Sequence, residues 1–200
     1  MERALAFFGA FNPPTVAHLG LAEMALKRTG REAVVFVPSQ AAYIRDDQGK
    51  DFAYDDGRRL SMLRAAAESR PWMRVTDWEM LQSGQPRTYD TLCHLRDEGY
   101  QASLLLGSDK LPELERGWLH VPEIAREFGI VCLTRGGDAC GRMIRENPFL
   151  ASLSQYIAIL ETPEETWNVS STAVRRRVAR LREIEEELGG LVPREILPLL

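Results

Sequence analysis

Thr15 and His18 stand three residues apart in the stretch Gly9-Ala10-Phe11-Asn12-Pro13-Pro14-Thr15-Val16-Ala17-His18, and that spacing places a hydroxyl and an imidazole on one side of a helix start. Both groups then lie at the positive end of the helix dipole. Gly9 leaves the turn without a side chain, so an anionic ligand can approach the backbone, while Pro13 and Pro14 stiffen the loop and remove competing donors. The chemistry these groups suit is phosphate binding. A plainer reading stands beside it, in which His18 is a cap or partly buried donor and Gly9 an ordinary turn glycine.

A second group of this kind lies far along the chain. Ser170-Ser171-Thr172 followed by Arg175 offers hydroxyls, backbone N–H groups and a guanidinium within one turn of a helix start, a combination that suits a polyphosphate. Its plain alternative is a routine cap and a solvated charged face, because Arg175, Arg176, Arg177, Arg180 and Arg182 run together and Glu183 to Glu187 follow.

The elements that position these groups alternate along the sequence. Arg3 to Phe8 is an apolar run of strand length, and Leu19, Ala22, Glu23, Ala25 and Leu26 fit a helix that Gly30 ends. Ala33 to Val37 is a second buried strand closed by Pro38, residues 39 to 54 read as a polar loop, and Asp55 to Ser69 as a helix with Leu60, Leu63 and Ala67 on one face. Met73 to Thr76 is a short strand, Asp77 to Arg87 is irregular, and Thr88 or Asp90 caps a helix that Gly99 terminates. Ala102 to Leu106 is a strand broken at Gly107, Ile130 to Leu133 another ending at Thr134-Arg135-Gly136-Gly137, and Tyr156 to Leu160 the last. Ser170 or Ser171 then caps a helix from Thr172 to Leu188, stopped by Gly189-Gly190, and a short segment follows Pro193.

Continuous apolar strands separated by helices predict an α/β fold, a Rossmann-like parallel sheet with helices on both faces and a helical C-terminal portion from about residue 168. The 200 residues are expected to form a single domain. Ligands then belong at the carboxyl ends of the strands, where three loops fall: Gly9 to Thr15, Gly107-Ser108-Asp109, and the entry to the Ser170 helix.

Composition narrows the partners. A formal charge of −4 with 44% hydrophobic residues gives no general basic field, which disfavours bulk nucleic-acid binding and leaves anions to local placement. Cys93, Cys132 and Cys140 are odd in number and lack C-x-x-C spacing, so neither a disulfide framework nor a zinc knuckle is expected, and no protein-held metal site is read. No signal pattern precedes the Arg3 strand and no apolar run approaches the roughly 18 residues a membrane span needs, which predicts a cytoplasmic protein.

Together, G-x-F-N-P-P-T-x-x-H after the first strand and S-S-T-x-x-R opening a late helix resemble the nucleotidyltransferase superfamily. The middle resembles the nicotinamide/nicotinic acid mononucleotide adenylyltransferases in particular, through Tyr43 after Pro38, Val75-Thr76-Asp77-Trp78-Glu79, Asp90-Thr91-Leu92, Gly107-Ser108-Asp109 with Trp118 beyond, and Phe128 to Arg135. The likeness runs on to Leu191-Val192-Pro193.

The resemblance implies a reaction in which the 5′-phosphate of a pyridine mononucleotide attacks the α-phosphorus of ATP, with Mg²⁺ present, to give a dinucleotide and pyrophosphate. It implies catalytic roles for His18, Thr15 and Arg175, with Gly9, Ala10, Phe11, Ser171, Thr172, Gly107 and Asp109 binding ATP and phosphate. Trp118 matches an aromatic that stacks on the pyridine ring, Thr91 a residue near the ring substituent, and Arg45, with Tyr43, a basic contact to phosphate. Trp118 in the core and Asp109 as a helix cap are the structural alternatives. The chain departs from the bacterial pattern at Asn12 and Ala17, and in Arg87-Thr88-Tyr89 the aromatic falls away from the usual ring-stacking position. Whether the substrate is the acid or the amide stays open. A phosphopantetheine adenylyltransferase or a non-catalytic nucleotide-binding module are the alternative functions.

Overall fold

The structure, a computed structural model, describes residues 1–46, 52–134, 139–163 and 170–189. Along β1 (Glu2–Gly9), Ala4 and Ala6 are packed on one face and Leu5 on the other. In β2 (Ala33–Pro38) the same alternation divides Ala33, Val35 and Val37 from Val34 and Phe36. These strands are covered on both faces, which is why they read as unbroken apolar runs. Burying a Leu, Val or Phe side chain of this kind contributes about 1.5–3 kcal/mol.

The remaining strands are β3 (Met73–Val75), β4 (Tyr100–Gly107), β5 (Ile130–Leu133) and β6 (Ile157–Leu160). They form a six-stranded sheet in the order β3-β2-β1-β4-β5-β6, every neighbouring pair parallel. That is the strand order of the Rossmann fold, with its reversal between β1 and β4, so the expected α/β architecture is the observed one.

One face carries α1 (Val16–Thr29), whose Ala22, Ala25 and Leu26 pack against Leu5, Val34 and Phe36. Gly30 closes this helix in the left-handed conformation, φ 62°, as its position predicted. The residues expected as an unbroken loop contain α2 (Ala41–Asp46), and α3 follows at Asp56–Ala67, capped by Asp55 rather than beginning with it. The stretch expected to be irregular holds a 3₁₀ turn at Trp78–Leu81. In α4 (Thr88–Asp97) neither Thr88 nor Asp90 is the cap: both lie inside the helix, Arg87 is the capping residue, and no side chain bonds its first amides.

Four short helices were not foreseen: α5 (Leu111–Leu114), α6 (Val121–Glu127), α7 (Cys140–Glu146) and α8 (Pro148–Ser152). They carry too few turns to show a period, yet Leu111, Leu114, Val121, Ile124 and Ile144 complete the second apolar layer. The last described helix is α9 (Ser171–Gly189), where the Ser170 hydroxyl accepts from the Ala173 amide at 3.2 Å and so takes the capping role. The turn read at Arg135-Gly136-Gly137 and the segment after Pro193 lie outside the described residues. No described helix is long and apolar enough to cross a membrane.

Candidate active site

A cleft of about 740 Å³ opens at the carboxyl ends of the strands, across the point where the strand order reverses. Its walls include Gly9 to Asn12, His18, Tyr43, Gly107, Asp109, Trp118 and Ser170 to Thr172 with Arg175. The loops singled out at the ends of β1 and β4 and at the entry to α9 therefore meet in one place.

His18 owes its orientation to a capping box in which it takes the position usually held by Glu or Gln. The Thr15 amide donates to His18 Nδ1 at 3.0 Å, and the Thr15 hydroxyl lies 2.8 Å from the same nitrogen. A backbone N–H only donates, so Nδ1 is an acceptor and the ring proton sits on Nε2. The ring is fixed further by Phe11, edge-to-face at 5.3 Å between centroids. Thr15 itself is buried, and its hydroxyl is engaged with His18.

Phe11 and Gly9 also differ from expectation. Phe11 turns back into the core with φ 41° and 1% exposure, so only its backbone is available to a ligand. A Cβ at Gly9 would stand 3.1 Å from the Phe11 ring. The absence of a side chain there makes room for Phe11, a packing demand the sequence did not announce.

The phosphate-binding candidates on the loop between β1 and α1 are braced from two sides. From α3, Arg59 is fully buried and donates to the carbonyls of Ala10 at 2.7 Å, Ser39 at 2.5 Å and Tyr54 at 3.1 Å, and to Asp56 Oδ1 at 2.5 Å. Burial lowers the Arg59 pKa, with Asp56 and Asp55 opposing the shift. From α9, Arg175 donates to the Asn12 carbonyl at 2.6 Å and to Thr172 Oγ1 at 3.1 Å, and the Ser171 hydroxyl donates to the Pro13 carbonyl at 2.7 Å. Three loop carbonyls whose lone pairs would repel a phosphate are thus each covered by a donor. The Asn12 amide adds a brace, donating to the Phe52 carbonyl at 2.8 Å and accepting from the Tyr54 amide at 2.9 Å. An aspartate at this position could not supply the first of these bonds.

At the end of β4, a Cβ at Gly107 would lie 2.5 Å from Asp109 Oδ1, so the glycine is what lets that carboxylate occupy its place on the wall. Asp109 does not cap the turn that follows, since no side chain does. Trp118 is half-buried: it packs on the core and also lines the cleft.

Thr91 and Arg45 are not brought to the wall. Thr91 is fully buried and donates to Glu79 Oε1 at 2.7 Å, because it lies one turn into α4, facing the core. Arg45 is exposed at the end of α2, outside the cleft that its neighbour Tyr43 lines. Residues missed by the sequence take those places, among them Thr88, Arg87, Gln85 and Glu79. Glu79 is 2% exposed and accepts from Thr91 and from the Gln85 amide. Burial pushes its carboxyl up to about 7, against the lowering effect of those two hydrogen bonds. The adjacent Trp78-Glu79 pair was visible in the sequence, but nothing local announced that the carboxyl is enclosed.

The chain is similar throughout its length to proteins of one kind. A nicotinate-nucleotide adenylyltransferase of Dehalococcoides mccartyi, named as probable, is 34% identical over 94% of this chain and 89% of its own length. The nicotinamide/nicotinic acid mononucleotide adenylyltransferase 2 of Caenorhabditis elegans is 29% identical over 91% of this chain and 89% of its own. Among solved structures, the nicotinic acid mononucleotide adenylyltransferase of Plasmodium falciparum in complex with NaAD shares the fold, with a TM-score of 0.68 at 17% identity over 88% of this chain and 83% of that one. The family model described as cytidylyltransferase-like matches residues 6–177, which include both Thr15-x-x-His18 and Ser171-Thr172 with Arg175, and the chain belongs to that family.

Proposed function

We propose that this chain joins the 5′-phosphate of nicotinic acid or nicotinamide mononucleotide to the adenylyl group of ATP, releasing pyrophosphate. The observation that carries the reading is the convergence of His18 and Arg175 on one loop at the mouth of the sheet, with a half-buried tryptophan in the same cleft. Relatives of this name that match along nearly the whole chain support it.

A phosphate oxygen of the mononucleotide forms the new bond to the α-phosphorus, and the bond from that phosphorus to the β-bridging oxygen breaks with its electron pair. The second pKa of a phosphate monoester is about 6, so the nucleophile is mostly dianionic near neutral pH and needs no general base. What remains is positioning and charge neutralisation. His18 donates its Nε2 proton as a hydrogen bond to an α-phosphate oxygen, on which charge grows. The departing pyrophosphate is held by the remaining N–H groups of Arg175 and the first amides of α9, at the positive end of its dipole.

Mg²⁺ enters with ATP. Of the acidic side chains on the wall among the described residues, Glu79 already accepts from Thr91 and Gln85, and Glu113 from Lys110, which leaves Asp109 alone, a donor set that suits a cation carried on phosphate oxygens rather than caged by the protein.

The test is pyrophosphate release from MgATP with nicotinic acid mononucleotide, nicotinamide mononucleotide and phosphopantetheine in parallel. A dinucleotide is expected from at least one pyridine mononucleotide, and His18→Ala should lower kcat by about 10²–10³. Product from phosphopantetheine alone, or none from any acceptor, would refute the proposal.

A further inference from the structure

The cleft contains one more arrangement, at the end away from α9. The start of α4 faces the segment that carries Trp118, because Tyr89 of α4 lies 5.2 Å from the His120 ring, centroid to centroid. Arg87 and Thr88 thereby form one wall and Trp118 and Leu119 the other. A half-buried indole on one side offers a flat apolar surface to a planar ring.

On the other side stands a cation. Among the described residues three Arg and Lys side chains line the cleft, and two are occupied: Lys110 pairs with Glu113 at 2.9 Å, and Arg175 holds the Asn12 carbonyl and Thr172. The exposed Arg87 guanidinium has no hydrogen bond or ion pair among the described residues. Arg87 itself is fixed where its backbone is concerned, since its carbonyl accepts from the Thr91 amide at 3.1 Å and caps α4 in extended conformation. The nearby carboxylate of Glu79 already accepts from Thr91 and Gln85.

We propose that Arg87 is a specificity-determining residue that selects the acid form of the pyridine mononucleotide, its guanidinium pairing with the ring carboxylate while the ring lies against Trp118. This rests on the pyridine-mononucleotide reading above. A carboxylate presents two charged acceptors that match the guanidinium fork. A carboxamide presents one neutral acceptor, and its NH₂ turns donors toward donors.

The experiment measures kcat/KM for nicotinic acid mononucleotide and nicotinamide mononucleotide, at saturating MgATP, with the unaltered chain, Arg87→Met and Arg87→Lys. The unaltered chain should prefer the acid. Arg87→Met should lose about 10–100-fold on the acid, the range for a charge-assisted hydrogen bond, and change by less than about threefold on the amide. Arg87→Lys, with charge but no fork, should fall between. Because the guanidinium makes no hydrogen bond or ion pair among the described residues, the thermal midpoint should move little. Preference for the amide by the unaltered chain, an equal fall on both substrates, or an unchanged ratio in Arg87→Met would overturn the assignment. If the unaltered chain adenylylates neither mononucleotide, the broader reading fails first and this one with it.

Discussion

Replacing Arg59 by methionine isolates what its guanidinium does, because the methionine fills most of the buried stem volume and removes every donor. The change would leave the carbonyls of Ala10, Ser39 and Tyr54 without their donor and take the cation from Asp56, which keeps the Ala41 amide at 2.7 Å. A stranded buried acceptor costs about 1–3 kcal/mol, and three are stranded here, whereas the Asp56 side chain is 36% exposed and its lost cation adds little. These figures do not add, since the cleft is close enough to admit water to Ala10, so about 3–5 kcal/mol is expected in all. For a chain of 200 residues, 1 kcal/mol moves the midpoint by about 2–4 °C, which gives a fall of about 6–20 °C. Thermal unfolding of Arg59→Met and Arg59→Lys, with and without MgATP, measures this. Lysine should recover little, because a single ammonium cannot reach carbonyls from residues 10, 39 and 54 at once. At temperatures where Arg59→Met stays folded, the KM for ATP should rise, since the Ala10 carbonyl is released. A midpoint within about 2 °C of the unaltered chain, or full recovery by lysine, would refute the account.

Other outcomes follow from the same geometry. Thr15→Val removes the cap hydroxyl but leaves the backbone amide that also holds His18 Nδ1. Stability should fall by about 1 kcal/mol and kcat by about tenfold, less than in His18→Ala; equal losses in the two variants would count against the division of roles. Glu79 ionises about 7 in the fold against an ordinary value of 4.5, so the folded chain binds the extra proton between those values, and stability present below pH 4.5 is lost as pH rises through 7. The loss is about 3 kcal/mol, and Glu79→Gln should flatten it in chemical denaturation curves from pH 4.5 to 8; parallel curves would show that the carboxyl is not enclosed as described. Gly107→Ala should drive the Asp109 carboxylate aside with little cost in stability, because φ at 107 is an ordinary −84°. If Asp109 bonds a nucleotide hydroxyl, the KM of that nucleotide should rise about 10–100-fold, as in Asp109→Ala, and an unchanged KM would remove Asp109 from the site.

The strands and long helices were readable because their physics is local. A run such as Ala33 to Pro38 declares burial on both faces, and Gly30 declares a helix end, without reference to anything distant. Thr15, His18 and Arg175 were readable for a related reason, since a helix start plus a donor pattern is contiguous. Arg59 was not, because beside Arg58 it looks like part of a solvated basic face, and only the fold brings three carbonyls from separate segments to it. Thr91 is a case of the opposite sense: the resemblance set it near the ring substituent, but its phase on α4 turns the hydroxyl inward to Glu79. Gly9 was singled out for its turn, but the demand from the Phe11 ring two residues later was not legible. Short helices such as α5 and α8 lack the turns needed to express a period at all.

The bonds from Arg175 to Asn12 and from Ser171 to Pro13 span 163 and 158 residues. They make the order of synthesis matter. A nascent chain emerges with its phosphate loop first and must complete the entire sheet before the covering donors leave the ribosome. Until then the carbonyls of Asn12 and Pro13 lack those partners, and the loop should be a poor receiver of anions. A chain released after Thr162 would contain all six strands and still lack this cover, so its capacity to hold a triphosphate should be lost while its sheet persists. Truncated products would then neither titrate ATP from the cell nor compete with full-length chains for the mononucleotide's partner in the reaction.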